Sequence, residues 1–430
     1  MKRTLLCTAL FTALTATTNV NAQTDIKIDA KLNQQVIDWR RHFHQYPELS
    51  NREYKTSAYI VEQLSTLGLE VSSGHAHTGV VAILKGAKPG PLVALRADMD
   101  ALPVTEQVDV PFASKQVTDY NGQQVGVMHA CGHDTHMAIL LGVAHQLSAM
   151  RAELTGDVMF VFQPAEEGAP EGEEGGAALM LKEGLFKKHK PEAIFGLHVS
   201  NSLHSGKIGY RSGSLMASAD SFEITLHGKQ THGSRPWNGV DPIVAAAQVI
   251  MATQTIASRQ VDVTKAPSVI SFGAVNGGVR SNIIPDEVKL IGTIRSFDQA
   301  MRADIKERLA FTATTVASAQ GAQADVTIHH GYPVTVNDPA LTAQMLPTLQ
   351  RVAGRDNVIE VPLVTGAEDF SYYALETPGL FFFLGATPPN TAIADSASNH
   401  SPRFYVDEST LAVGVNALAQ LTFDYLQQKQ

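Results

Sequence analysis

Apolar and polar positions along the chain follow two rhythms. From residue 28 to about 215, stripes of helical period alternate with short runs that are almost wholly apolar. The stripes at 28–46 and 54–67 predict helices, one stopped by Pro47 and the other by Gly68. The runs at 78–85, 90–97, 157–162 and 193–199 predict strands, and the core of one, Leu92-Val93-Ala94-Leu95, has no polar face at all. Such strands are buried on both sides, as in a sheet covered by helices. A further helix is expected at 137–150, and the fold class is α/β with a central mixed sheet flanked by helices.

Between about 216 and 330 the rhythm changes to alternation. Strands are expected at 221–226, 268–275, 287–295 and 324–329, each with one apolar face. Helices fall at 241–258, opened by Asp241 as N-cap with Pro242 at N1, and at 298–320. The order strand-helix-strand-strand-helix-strand is ferredoxin-like, an antiparallel sheet with two helices on one face. It reads as an α+β domain inserted into the first. After Pro333 the earlier rhythm returns, with a buried strand at 379–385 and a closing helix at 408–425. The expected division is a leader at 1–22, a first catalytic part at 23–215, the insert at 216–330 and a second catalytic part at 331–430.

Composition narrows the function classes. Of 430 residues 44% are hydrophobic and the net charge is −9, which supplies a large core and argues against a nucleic-acid surface. Lys2 and Arg3 precede the apolar run Leu5 to Leu14, and Val20-Asn21-Ala22 offers small residues for cleavage. That pattern predicts an exported, periplasmic protein and no membrane anchor, the run being too short to span a bilayer. Removing the leader leaves Cys131 as the single cysteine, so no intramolecular disulfide forms. A redox protein would lack its resolving thiol.

That thiol sits in His129-Ala130-Cys131-Gly132-His133-Asp134-Thr135-His136, where a loop runs into an apolar helix. Thiolate and imidazole one glycine apart suit zinc and similar ions. Three strand ends add Asp98 and Asp100, Glu166 and Glu167, and His198, which can converge on Cys131 and His133. The acidic, glycine-rich stretch from Glu171 to Glu174 reads as a solvated mobile loop.

Ordered matches over nearly all of the mature chain carry a resemblance. They include Arg41 to Ser50, Arg96 to Pro103, the Cys131 octet, Gln163 to Gly168, Gly196-Leu197-His198 and Thr231 to Pro236. Ser281 to Asp286, Gly366 to Phe370 and Asn399 to Pro402 continue them. The chain resembles the metal-dependent amidohydrolases of hippurate hydrolase, N-acyl-L-amino-acid aminoacylases and plant auxin-conjugate hydrolases, within the broader glutamate carboxypeptidase-like group. The resemblance implies two divalent ions per subunit, zinc first with manganese, cobalt or nickel open, bound by Cys131, His133, Glu167, His198 and His400. It makes Glu166 the general base and places Asp100 behind a ligand. The insert becomes a lid and dimerisation domain, in which His232 reaches the partner's active site while Asn282 and Arg295 grip a substrate carboxylate.

The chain departs from the wider group in two places. Asp98-Met99-Asp100 stands where relatives have a metal-binding histidine, with Cys131 supplying the missing ligand, and Trp237 stands where many have histidine. The implied enzyme is a homodimer that hydrolyses N-acyl or N-aroyl amino acids or small peptides. The alternatives are a strict dipeptidase or carboxypeptidase, or a non-catalytic metal- or peptide-binding protein on the same scaffold.

Overall fold

A computed structural model describes residues 24–428, so the expected leader at 1–22 lies outside the described residues. Eight strands form the main sheet, in the order Glu70–His75, Gly79–Leu84, Thr155–Gln163, Lys88–Asp98, Ala193–His204, Gly379–Thr387, Ile208–Tyr210 and Val358–Glu360. From Thr155–Gln163 to Gly379–Thr387 the neighbours run parallel, and Gly79–Leu84 and Ile208–Tyr210 run against them, so the sheet is mixed.

Helices Ala30–Gln45, His133–Ala149 and Thr410–Gln428 cover one face; the shorter Gly176–Lys182 and Phe370–Glu376 cover the other. Every residue of Gly379–Thr387 is buried, as its unbroken apolar run requires. Each fully buried phenylalanine there contributes about 1.5–3 kcal/mol. Among the described residues no helix is long and apolar enough to cross a membrane.

A second sheet of four strands has the order Ser268–Gly277, Glu287–Ser296, Asp220–His227 and Gln323–His329, antiparallel throughout. Helices Pro242–Thr255 and Gln299–Ala319 pack on it through Phe222, Ile224, Leu226, Val249, Ile305 and Leu309. This is the ferredoxin-like order. Asp241 caps the first of these helices, accepting from the N–H groups of Ile243 and Val244. The short strands Gly213–Met216 and Thr335–Asn337 pair where the chain passes between this unit and the main sheet.

Beneath the helix His133–Ala149, a buried charge cluster ties it to Ala30–Gln45. Asp134 Oδ2 lies 2.9 Å from Arg40 Nε and 2.8 Å from His44 Nδ1, and His44 Nε2 lies 2.9 Å from Glu106 Oε1. Burial and Arg40 oppose a charge on His44, but Asp134 and Glu106 outweigh them and its pKa is raised. Burial likewise works against the Asp134 carboxylate, yet Arg40 and His44 hold it below the usual range. The raised His44 pKa stabilises the fold fully below about pH 6.5, and that contribution is lost as pH rises through the folded value. The depressed Asp134 pKa stabilises it above about pH 3.9 and is lost on acidification. His44→Gln should therefore cost about 3–5 kcal/mol at pH 6, as removing one member of a buried pair does. The cost should narrow in alkaline solution. Urea melts of both chains at pH 6 and pH 9 test this; an equal gap at both would show that His44 is uncharged in the fold.

Candidate metal centre

The parallel strands deliver their C-terminal ends to one place, where sheets of this kind bind ligands. Lys88–Asp98 leads to Asp100, and Thr155–Gln163 leads to Glu166 and Glu167. His198 comes from within Ala193–His204 and not from its end, because the strand continues to pair with Gly379–Thr387 beyond it. The helix bearing His133 also starts four residues earlier than the apolar pattern indicates. Gly132 precedes it at φ 94°, and a Cβ there would lie 2.3 Å from the Val199 side chain. Only glycine serves at that bend.

Cys131 is the hub. Its Sγ lies 3.3 Å from His198 Nε2 and 3.2 Å from His400 Nε2, and His400 Nε2 is in turn 3.2 Å from Glu167 Oε1. His133 Nε2 stands 3.9 Å from both Glu166 Oε2 and Glu167 Oε1. Cys131, His133 and His198 form one group of potential ligands, and Cys131, Glu167 and His400 another, each with donor atoms within 4.8 Å of one another. His400 is carried into place at φ 69°, with its N–H donating to Ala130 O, while Asn399 Nδ2 donates to Cys131 O.

Hydrogen bonding fixes which nitrogen each imidazole presents. His133 Nδ1 donates to the Asp100 carbonyl at 2.8 Å and His198 Nδ1 to the Val199 carbonyl at 2.7 Å. A carbonyl only accepts, so in the neutral rings both Nε2 atoms carry a lone pair toward Cys131 and the glutamates, the arrangement of metal-binding histidines. His133 Nε2 is buried without a hydrogen bond of its own. His136 differs. Its Nδ1 faces Asp98 Oδ1 at 2.6 Å and its Nε2 accepts from Val199 N–H, which leaves nothing for an ion. Asp98 is also held by Arg96, so it is a structural carboxylate.

Asp100 shapes the turn that follows Gln163. Its Oδ1 accepts from Glu166 N–H and its Oδ2 from Glu167 N–H, each at 3.0 Å, while Ser50 donates to Oδ2. The residue orients His133 through its carbonyl and the glutamate pair through its carboxylate. Burial and the charges of Glu368, Glu167 and Asp369 push the Glu166 carboxyl well above the usual range. Hydrogen bonds to Cys131 and Glu167 push His400 up to about 10. Burial and Glu167 push the Cys131 thiol up. Burial resists charge on His133, but Asp98 outweighs it and raises the pKa well above normal. Surroundings this rich in negative charge favour a divalent cation as they favour protons, and the donor set of thiolate, imidazoles and carboxylate fits one.

A cavity of about 400 Å³ opens over these groups, with Met216, Val364 and Phe383 on an apolar wall and Glu368 and Tyr332 beside Glu166. His232, Asn282 and Arg295 do not line it. His232 is exposed and accepts from Ser234 N–H, and Arg295 donates to Thr293 Oγ1 and Ile294 O within its own strand unit. Trp237 is exposed in the same region. The acidic stretch is exposed, as expected of a solvated loop, and its carboxylates meet neighbouring side chains: Glu173 bonds Arg52 and Asn51, and Glu174 bonds Lys182. Sequence reasoning assigned no role to Glu368, Asn399 or Tyr332. Glu368 and Asn399 lie in motifs that carry the resemblance, whereas Tyr332 gives no periodic or compositional signal.

The sequence pattern of peptidase family M20/M25/M40 matches residues 94–424. The chain belongs to that family. A thermostable carboxypeptidase of Saccharolobus solfataricus is 41% identical over 403 residues, covering 93% of this chain and 98% of its own length. An N-acetyl-L-cysteine deacetylase of Bacillus subtilis is 37% identical, over 88% of this chain and 85% of its own. The crystal structure of a Bacillus subtilis protein described as a dinuclear metal binding peptidase from the M20 family superposes with a TM-score of 0.77 at 35% identity, covering 93% of this chain and 99% of that one. Like these family M20 relatives, the chain is a metal-binding hydrolase with a mixed α/β architecture.

Proposed function

We propose that this hydrolase cleaves the amide bond of N-acyl or N-aroyl amino acids, releasing the free amino acid, with two divalent ions, zinc first, held by Cys131, His133, Glu167, His198 and His400. The observation that carries the reading is the pair of imidazoles with their Nε2 lone pairs turned to Cys131, with the buried Glu166 carboxyl 3.9 Å from His133 Nε2. Bound divalent ions lower the pKa of a water to about 7 and polarise a carbonyl. Glu166 takes the proton of the attacking water on its carboxylate, water oxygen bonds to the carbonyl carbon, and the C–N bond breaks. The same carboxyl returns the proton to the departing nitrogen.

Cysteine deacetylation in one relative and carboxypeptidase action in another both support a substrate with an amide next to an amino-acid carboxylate. Asn282 and Arg295 suit that carboxylate, Arg by its planar fork. In this reading a homodimer brings His232 of one copy over the other's cavity to meet the oxyanion. A strict dipeptidase is the second reading, favoured by the carboxypeptidase relative.

A panel of N-acetyl and N-benzoyl amino acids and dipeptides tests both. Chelation should lower turnover at least 10²-fold and added zinc or manganese should restore it, with acyl amino acids ahead of dipeptides. Activity that persists once metal analysis shows the protein stripped would end the metal-dependent reading, and a reversed order of substrates would favour the dipeptidase. A monomer with full activity would remove the part given to His232.

A further inference from the structure

The backbone around Glu166 is held in an unfavourable shape from two directions. Ala165, immediately before it, has φ 52°, a left-handed conformation that side-chain-bearing residues avoid. The body of the protein secures the N-terminal side: Ala165 N–H donates to Glu53 Oε1 at 3.0 Å, and Glu166 N–H to Asp100 at 3.0 Å. On the other side the carbonyl of Glu166 accepts from the hydroxyl of Tyr332 at 2.5 Å.

Tyr332 belongs to neither the main sheet nor the catalytic loop. It sits in the segment that leaves the last strand of the inserted unit, Gln323–His329, and enters Thr335–Asn337. Its carbonyl accepts from Ala219 N–H, in the segment by which the chain enters the inserted unit. Tyr372 braces it, with ring centroids 6.2 Å apart and a hydroxyl bonded to Gly331 O at 3.3 Å. Of these anchors on the Glu166 turn, Tyr332 alone comes from the connection to the inserted unit.

We propose that Tyr332 is a positioning residue: its hydroxyl fixes the Glu166 main chain, and through it the carboxylate, in register with the connection to the lid. This rests on Glu166 being the proton-transferring group. Tyr332 also lines the cavity, so a direct contact with substrate is the competing role.

A double-mutant cycle on the metal-loaded enzyme separates these, comparing Tyr332→Phe, Glu166→Gln and the pair on the best substrate of the panel. Tyr332→Phe should lower kcat about 10–10²-fold, with KM within about twofold and metal content unchanged, as a displaced catalytic group does. Combined with Glu166→Gln it should add no further loss, because the tyrosine acts only through the residue already removed. Losses that multiply would overturn the proposal in favour of direct contact with the reacting atoms. Unchanged kcat in Tyr332→Phe would also overturn it, as would a chain that no longer folds, since the hydroxyl would then serve the fold. If Glu166→Gln itself costs less than about tenfold, it is the general-base reading that fails.

Discussion

Glu166→Gln is expected to lower kcat by about 10²–10⁴-fold while KM and metal content stay near those of the parent. The variant isolates the carboxylate because the residue is held by its main chain: its N–H by Asp100 and its carbonyl by Tyr332. Neither bond involves the side chain, and glutamine has nearly the shape of the carboxylic acid, so the turn and the neighbouring Glu167 should keep their places. Steady-state kinetics with metal analysis on the same samples provide the check. A variant retaining more than a tenth of the parent kcat would take Glu166 out of proton transfer. Loss of metal together with activity would make it a ligand instead.

The second large effect falls on stability. Arg96 is fully buried, with Asp98 at 2.6 Å, Glu368 at 2.9 Å and Asp369 at 2.7 Å from its guanidinium, and its Nε donates to Gln163. Arg96→Met fills much of the same volume and leaves Glu368 and Asp369 in the core without a counter-charge and Asp98 with only His133 and His136 beside it. Breaking one buried pair costs about 3–5 kcal/mol, against a total stability of about 5–15 kcal/mol for a typical domain. The methionine variant should be mostly unfolded or insoluble at 37 °C. Arg96→Lys, which keeps the charge but not the fork, should fold with a depressed melting temperature. Thermal melts of the three chains decide the matter: a methionine variant melting within a few degrees of the parent would mean that the carboxylates are neutral in the fold.

What could be read from the sequence follows from how locally each feature is encoded. The sheet strands were legible because burial on both faces leaves no polar position, as in Gly379–Thr387. The edge strand Glu70–His75 was not, since it is largely exposed and polar. Cys131 and His133 announce themselves by spacing, and Glu166 and Glu167 by following an apolar run. His198 was visible as the one polar residue in its run, yet the apolar run ends at Val199 while the strand goes on through the polar Ser200, Asn201 and Ser202. Asp98 and Asp100 look alike in sequence. Their difference lies in Arg96 and His136, which share a pocket with the first, and in the glutamate turn, which folds onto the second. Tyr332 was out of reach, because its contact with Glu166 spans 166 residues and leaves no local trace.

The interleaving of the main sheet has a consequence for synthesis on the ribosome. Residues 220–329 are contiguous and hold their own four-stranded sheet and core, so that unit can close as soon as it emerges. The body cannot. Ala193–His204 waits with one edge unpaired until Gly379–Thr387 arrives, and His400 reaches Cys131 later still. At typical elongation rates of about 5–20 residues per second, that edge stays open for roughly 10–40 s. During this interval the nascent chain exposes an apolar strand edge able to pair with a neighbour, and chaperone capture then matters more than at any later time.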